Sequence, residues 1–244
     1  MKSSFEIFKF AGIRVFVHYS IGFALIFFPL IVGLQFLPSR YPDWEMKLYL
    51  IVSLISVLLM FVSVLIHEMS HCIVASLRGF KVKRITLFVL GGMSFIKDET
   101  STAYDEILIC ISGPAISRVL SFVFWILLNL FAIPGHLDFV EAILYYMAIL
   151  NLVLFLFNMV PALPLDGGRI IRATIWSITG NYTRATFWSA MSGYLVGIAL
   201  IGLGSFYLFL NGMISGLWYG LLGIFILYAA RQTLKDDHVN SHDT

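Results

Sequence analysis

Residues 61–77, FVSVLIHEMSHCIVASL, decide the fold because they place ionisable side chains inside a long apolar segment. The apolar run begins near Lys47, and about 20 apolar residues are enough for a helix to cross roughly 30 Å of hydrocarbon. Ionisable groups at that depth carry a large energetic cost and are rarely retained without partners or a function. The stretch therefore predicts a membrane-spanning helix that contains a functional site.

The composition of the whole chain supports membrane residence. Of its 244 residues, 59% are hydrophobic and only 12% are charged, and the mean hydropathy is +0.91. A soluble domain of this length needs more polar surface, so the apolar excess must face lipid or other apolar helices. The formal net charge of +2 gives no broad basic field, so the bilayer is an expected partner and nucleic acid is not.

Six segments are long and apolar enough to span a bilayer. The predicted fold is an all-α polytopic membrane protein, with one six-span domain over residues 1–231 and a polar cytoplasmic tail over residues 232–244 that is predicted to be disordered. The predicted spans are approximately Tyr19–Leu37, Lys47–Leu77, Asp105–Ile133, Glu141–Val160, Phe187–Leu210 and Met213–Arg231.

The loops between these spans differ in charge. When alternate loops are assigned to opposite sides, one side carries thirteen lysines and arginines, and the other carries only Arg40 and Lys47. Because cytoplasmic loops are enriched in cations, the basic side is predicted to be cytoplasmic. We therefore expect a multi-pass protein of the cell membrane with both termini in the cytoplasm.

One apolar stretch, ITLFVLGGMSFI at residues 85–96, is too short to span the membrane as a helix. Gly91 and Gly92 divide it into two β-prone halves, which predicts a small re-entrant β-hairpin. Irregular backbone at membrane depth must be shielded by protein or by a water-filled cavity, so the hairpin should lie near the polar residues. The glycines are either a bare turn or part of a strand edge that accepts an unwound peptide.

His67 and His71 lie four residues apart on the predicted helix, so both imidazoles project from the same face. This spacing allows two nitrogen atoms to bind one Zn²⁺ at about 2.0–2.1 Å. Glu68 projects about 100° round the helix, where it can hold a water molecule and take its proton instead of binding the metal. The pattern predicts one zinc ion per chain and a hydrolytic centre.

A catalytic zinc needs a third protein ligand. The segment NMVPALPLDGGRI at residues 158–170 follows the fourth span, and its prolines break the helix so that Asp166 can turn back towards the bundle. Asp166 is the predicted third ligand, and the alternative role is a helix N-cap. Asn158, or else Asn151 on the same helix face, can donate to a developing oxyanion; the alternative is an interhelical hydrogen bond.

Four motifs together resemble the site-2 protease family of intramembrane zinc metalloproteases. They are HEMSH in the second span, the Gly-Gly hairpin, ISGP in the third span and NMVPALPLDGG after the fourth. The likeness covers nearly the whole chain and looks closest to the compact six-span archaeal and bacterial members. Ser70 stands where the family usually has glycine, and no segment resembles the CBS or PDZ domains that many members carry.

The resemblance implies a zinc metalloendopeptidase that cuts membrane proteins within or near their transmembrane segments, in regulated intramembrane proteolysis. Expected substrates are single-span membrane proteins, for example regulatory precursors, and the sequence does not identify an inhibitory membrane partner. The implied roles are zinc ligation by His67, His71 and Asp166, base catalysis by Glu68, assistance at the substrate carbonyl by Asn158, and substrate guidance by Gly91 and Gly92.

Two other classes of function use the same residues. A metal transporter would bind its cargo at these ligands, but such a protein needs access from both faces, and no second set of carboxylates or histidines lies towards the far side of the spans. An inactive family member would bind transmembrane partners without cutting them. The intact HEMSH motif favours the protease over both alternatives.

Overall fold

The computed structural model describes residues 4–10, 12–89, 91–96, 100–131, 138–211 and 215–242. These residues form four β-strands and eight α-helices, with a π-helical turn over Val32–Phe36. The strands are β1 Ser4–Phe10, β2 Ile13–His18, β3 Val82–Phe88 and β4 Gly91–Ile96, and the helices are α1 Ser20–Ile31, α2 Leu37–Arg40, α3 Met46–Leu77, α4 Ala103–Phe131, α5 Asp138–Asn158, α6 Asp166–Thr179, α7 Tyr182–Asn211 and α8 Ser215–His242.

The predicted fold class, a polytopic helical membrane protein with a small β-element, is confirmed. Within the described residues, five helical segments are long and apolar enough to cross a membrane, and they match the first five predicted spans. The sixth predicted span corresponds to the first part of α8, and its residues 213–214 lie outside the described chain. The five segments are Ser20–Arg40, Met46–Leu77, Ala103–Phe131, Asp138–Asn158 and Tyr182–Leu210.

The described part of the polar segment after Arg231 belongs to helix α8. Helix α8 continues through this polar segment to His242. Between Gly223 and the end of the helix the sequence contains neither proline nor glycine, so no residue there interrupts the helical hydrogen bonds. The predicted disorder of residues 232–244 stays a prediction.

The chain divides into two compact units, and helices α4 and α5 contribute residues to both. The first unit contains the four strands, α1 to α3, and most of α4 and α5. The second contains the first turns of α4, the end of α5, and α6 to α8. The first comprises Met1–Glu99 with Ser112–Phe155, and the second comprises Thr100–Ile111 with Leu156–Thr244.

The strands form one sheet in the first unit, in the order β1-β2-β3-β4. β1 and β2 pair antiparallel, β2 and β3 pair in parallel, and β3 and β4 pair antiparallel. The predicted hairpin is therefore confirmed, and β4 is an edge strand of this sheet. Strands β1 and β2 were not predicted, because their 7 and 6 residues are far shorter than the apolar segments of about 20 residues that indicate a span.

The two glycines of the hairpin lie in a strand rather than at its turn. Gly91 and Gly92 are the first residues of β4 and pair with Phe88 and Leu87 of β3. Gly91 has a φ of 139°, which residues with a side chain rarely adopt. The edge strand therefore begins with two residues that have no side chains.

Helix α3 is 32 residues long, which corresponds to about 48 Å. Its buried residues Val57 and Val64 belong to the same hydrophobic core as Ile85 and Leu87 of β3. Gly79, with a φ of 88°, ends the helix in a Schellman motif. The shared core holds the sheet beside the half of α3 that carries the HEMSH motif.

The helix break predicted from Pro161 and Pro164 is confirmed, since α5 ends at Asn158 and α6 begins at Asp166. Leu165 occupies the N-cap position of α6, and its side chain makes no capping hydrogen bond. Asp166 is the first residue of the helix itself. The alternative role of Asp166 as the N-cap is therefore wrong.

Candidate metal centre

The two histidines of α3 meet in the interior of the first unit. His67 and His71 are only 3% and 7% exposed, and their Nε2 atoms lie 3.2 Å apart. The rings are nearly perpendicular, with centroids 4.9 Å apart. Two nitrogen ligands of one tetrahedral zinc, each at about 2.0–2.1 Å from the ion, are separated by roughly 3.3 Å. The observed separation of the Nε2 atoms fits this geometry.

The outer nitrogen atom of each imidazole contacts a serine of α4. His67 Nδ1 lies 2.9 Å from the Oγ atom of Ser117, and both residues are buried. His71 Nδ1 lies 3.4 Å from the Oγ atom of Ser112. When Nδ1–H donates to such an oxygen, the neutral imidazole carries its lone pair on Nε2. The contacts with the serines are thus compatible with the tautomer in which both Nε2 atoms can bind a metal, and they help to fix the orientation of the rings.

A glycine of α4 leaves the space that a metal needs between these atoms. A Cβ atom at Gly113 would lie 2.6 Å from His67 Nε2 and would overlap His71 Nε2 even more closely. That position is close to where a zinc ion bonded to both nitrogen atoms would lie. In addition, two imidazole lone pairs that face each other repel unless a proton or a cation lies between them. The residues present therefore fit a zinc ion.

Glu68 of the same helix lies against the beginning of β4. A Cβ atom at Gly92 would lie 2.9 Å from Glu68 Cδ and would overlap Cγ. Only glycine allows the strand backbone to approach the carboxylate side chain this closely. The structure therefore brings four of the predicted site residues, His67, Glu68, His71 and Gly92, into one region of the first unit.

The other polar residues predicted for the site come from α5 and from the start of α6. Asp166, which is 8% exposed, and Asn158, which is half-buried, belong to the second unit. Asn151 is fully buried in the first unit, where its Nδ2 group donates to Ser63 Oγ at 3.1 Å and to the Met147 carbonyl oxygen at 2.9 Å. Both amide protons of Asn151 are thus engaged in hydrogen bonds within the protein.

The ISGP motif, which contains Ser112 and Gly113, drew attention in the sequence only through its resemblance to the family, and the contact of Ser117 was not predicted. Their contacts join residues of α3 and α4 that are some 40 to 50 positions apart, and no local pattern encodes such a distance. One available signal was the presence of two serines and a glycine in the middle of an apolar span, since small and polar residues there usually mark a helix interface.

A family model described as Peptidase family M50 matches residues 55–136 and 135–202 of the chain, which is more than half of its length. The chain belongs to peptidase family M50. The matched ranges include all seven residues for which the sequence analysis predicted a role in the site. Membership in M50, together with five helices of spanning length, makes the protein a multi-pass membrane protein.

Several named proteins are similar to this M50 chain. A protein of Synechocystis sp. is 34% identical over 203 residues, which cover 82% of the chain and 52% of the relative. Rip3 of Mycobacterium tuberculosis is 32% identical over 232 residues, with coverages of 95% and 59%. The zinc metalloprotease MJ0392 of Methanocaldococcus jannaschii is 30% identical over 235 residues, with coverages of 95% and 61%. The chain therefore spans between half and about three fifths of the length of these relatives.

The fold of the M50 chain is similar to the solved structure of the site-2 protease from Methanocaldococcus jannaschii. The TM-score is 0.60, the sequences are 29% identical, and the match covers 95% of each chain. The predicted membership of the site-2 protease family is therefore confirmed.

The contact between Ser117 and His67 leads to the first testable expectation for this M50 protein. Ser117→Ala removes the oxygen that faces Nδ1, so the imidazole loses a hydrogen-bond partner that orients its ring. Loss of such an outer partner typically weakens metal binding about 10-fold to 100-fold. We expect a decrease in zinc affinity of this size, measured by competition with a chromophoric chelator.

Ser121→Ala is the matched control. Ser121 is also buried in α4, but its hydroxyl group donates to the Ala148 carbonyl oxygen at 2.8 Å. This variant also loses a buried hydrogen bond of an α4 serine, but one that does not involve a histidine, so its zinc affinity should equal that of the wild type. Equal zinc affinities of the Ser117→Ala and wild-type proteins would show that the serine does not orient the imidazole.

Proposed function

We propose that this protein is an intramembrane zinc metalloprotease that hydrolyses peptide bonds within or near the transmembrane segments of other membrane proteins. The observation that carries the proposal is the pair of buried imidazoles on a helix of spanning length, with Nε2 atoms 3.2 Å apart. Membership of a peptidase family supports proteolysis. The name of the relative MJ0392, a zinc metalloprotease, supports zinc as the metal.

His67, His71 and Asp166 are the proposed ligands of one zinc ion. The first two supply nitrogen atoms at a separation that suits tetrahedral zinc. Asp166 supplies a carboxylate from the start of α6 and is buried. With Glu68 and Asp166 both ionised, one Zn²⁺ brings the sum of these charges to zero, which reduces the cost of burying two carboxylates.

The proposed chemistry divides the hydrolysis among three groups. A zinc ion held by these ligands would act as a Lewis acid and increase the acidity of a water molecule. Glu68 accepts a proton from the attacking water and later donates it to the leaving amine. The side-chain amide of Asn158 donates a hydrogen bond to the carbonyl oxygen as negative charge develops there.

The edge of β4 is the proposed binding surface for the substrate backbone. A peptide bond in an α-helix is shielded by its own helix, so the substrate must unwind locally before it is cut. Gly91 and Gly92 begin this edge strand, and the backbone of Gly92 lies against Glu68. Strand addition at this edge would hold the scissile carbonyl beside the proposed catalytic base.

Proposed substrates are single-span membrane proteins, whose cleavage releases a domain into the cytoplasm. The cationic residues that follow α3, from Arg78 to Arg84, support a cytoplasmic position for that end of the helix. His67 lies about ten residues before them, or roughly 15 Å along the helix. We propose that the protein resides in the cell membrane with both termini in the cytoplasm and the active site nearer to that face.

Removal of the metal tests the proposed function. Purified protein is incubated in detergent with a panel of single-span membrane proteins, and the products are located by mass spectrometry. We expect about one zinc ion per chain and cuts within or beside the transmembrane segment. Treatment with 1,10-phenanthroline should abolish cleavage, and one equivalent of Zn²⁺ should restore it.

Asp166→Ala is the informative variant in this assay, because the loss of one of three protein ligands prevents stable zinc binding. We expect this variant to retain less than about a tenth of the zinc and to remain inactive when Zn²⁺ is added. Wild-type protein without stoichiometric zinc would contradict the proposed function. Cleavage that survives complete removal of the metal would also contradict it.

A further inference from the structure

Strand β1, at one edge of the sheet, carries a row of half-exposed aromatic side chains. Phe5, Phe8 and Phe10 are between 42% and 55% exposed. Their cross-strand partners in β2 are all apolar: Val17, Val15 and Ile13. Residues that lie directly opposite each other in an antiparallel pair place their side chains on the same face of the sheet. The three phenylalanines therefore form one apolar face of β1.

A β-bulge brings these rings to the same face. The register between β1 and β2 shifts between Glu6 and Phe8, so Ile7 is the extra residue of β1. In a regular strand, side chains alternate between the two faces, and Phe5 and Phe8 would point in opposite directions because they are three positions apart. The bulge thus creates an apolar face that regular alternation of this sequence would not give.

The opposite face of the same strands is charged. Lys9 of β1 pairs with Arg14 of β2, and Arg14 in turn pairs with Arg84 of β3. Glu6 is the acidic residue on this face of β1. Three cations and one carboxylate give the face an excess of positive charge, which complements the anionic headgroups of a lipid surface. Strand β1 is therefore amphipathic, with a cationic surface behind its phenylalanines.

The apolar face of β1 continues into a lipid-facing row of α1. The Phe5 ring lies 6.0 Å from the ring of Tyr19, measured between centroids, and Tyr19 immediately precedes α1. One turn further on, the exposed rings of Phe23 and Phe27 stack at 5.2 Å. Helix α1 belongs to the first segment of spanning length, so these exposed rings face lipid. The phenylalanine row of β1 extends the same surface beyond the start of the helix.

The free edge of β1 limits how deep the strand can lie. Within the described sheet, β1 pairs only with β2, so half of its backbone groups point away from any strand. Open sheet edges do not occur in the hydrocarbon region, because nothing there satisfies their hydrogen bonds. In water, an edge strand with exposed apolar side chains is a site of aggregation. The boundary between headgroups and acyl chains meets both conditions, since it hydrates the backbone and accepts the rings.

We propose that β1 is an interfacial membrane anchor. The face formed by Phe5, Phe8 and Phe10 enters the boundary of the acyl chains, and the face with Lys9 and Arg14 binds the surrounding anionic headgroups. The partner is thus the lipid surface. Strands β1 and β4 are the two edges of one sheet, about three strand spacings or roughly 14 Å apart. A β1 strand held at the interface therefore also limits the depth of the β4 edge.

Spin labelling of the full-length protein in vesicles tests the anchor. Phe8→Cys and Lys9→Cys place a nitroxide on the apolar and on the charged face, and unlabelled background is low because native Cys72 and Cys110 are buried. The vesicles contain phosphatidylcholine and phosphatidylglycerol. Power saturation compares collisions with oxygen, which dissolves in acyl chains, and with a water-soluble nickel chelate. We expect a ratio of oxygen to nickel collisions at least about threefold higher at position 8 than at position 9.

Two further variants calibrate the measurement. Phe23→Cys, in the lipid-facing row of α1, gives the reference value for the acyl region. Adding Phe5→Asn and Phe10→Asn to the labelled Phe8→Cys protein removes the other two rings, so nickel collisions at position 8 should rise about threefold. If Phe8→Cys does not fold, a label at Phe10→Cys on the same face replaces it.

Three results would overturn the anchor. Equal ratios at positions 8 and 9 would place the strand in water. Few collisions with either reagent at position 8 would mean that protein covers the phenylalanines, and spin–spin broadening would identify that protein as a second copy. Omission of phosphatidylglycerol should lower the ratio at position 8 about twofold, and an unchanged ratio would refute the role of the cations. The inference does not depend on the proposed function, because the measurement involves neither zinc nor cleavage.

Discussion

Glu68→Gln is expected to abolish proteolysis while zinc remains bound. Glutamine has nearly the same shape as glutamate, so its contact with the backbone of Gly92 is retained, but it cannot take a proton from the attacking water. A general base in the transition state typically contributes a factor of about 10² to 10⁴. We expect cleavage to fall by at least about a thousandfold, with an unchanged ratio of zinc to protein.

The measurement combines a cleavage assay with metal analysis of the same purified samples. Glu45→Gln is a suitable control, because Glu45 is an exposed residue at the other end of α3 and its loss should leave activity unchanged. Glu68→Gln also distinguishes the protease from a metal transporter and from an inactive binding protein. A transporter would retain its flux of metal, and a protein that only binds transmembrane helices would lose nothing. Cleavage at the wild-type rate would exclude Glu68 as the base.

Much of the fold was predictable because it is encoded in local patterns. The apolar run before HEMSH predicted α3, the prolines after Asn158 predicted the end of α5, and the β-prone halves around Gly91 predicted the β3–β4 hairpin. The N-terminal hairpin was missed, because β1 and β2 are short and the pairing of β2 with β3 depends on residues about 70 positions away. Local periodicity contains no information on such pairing.

The candidate site was predictable only where the spacing of residues on one helix determines the geometry. His67 and His71 had to share a face of α3, and their Nε2 atoms do converge. The hydrogen bonds of Asn151 to Ser63 and Met147 could not be read from the sequence. The same limit applies to Ser117, which contacts the imidazole of His67 across two helices that are far apart in the sequence.

Gly113→Ala is expected to have the second largest effect. In contrast to Glu68→Gln, which keeps the zinc and removes the base, this variant keeps the base and loses the zinc. The added methyl group would occupy the space between the Nε2 atoms of His67 and His71, which is the space proposed for the metal. We expect zinc binding to weaken by more than about 100-fold, beyond the usual effect of losing an outer partner of a ligand. Proteolysis should fall in proportion to the bound zinc. Metal analysis after dialysis against a weak chelator measures the change.

Helix propensity strengthens the interpretation of this variant. Alanine is favoured over glycine inside a helix by about 1 kcal/mol, so the substitution should stabilise α4 itself, and a loss of zinc must come from overlap at the site. Gly22→Ala is the matched control, because Gly22 is an exposed helical glycine with no atom within 4 Å of the added Cβ. Tight zinc binding by Gly113→Ala would mean that the metal does not lie between the two imidazoles, and the proposed centre would then be wrong.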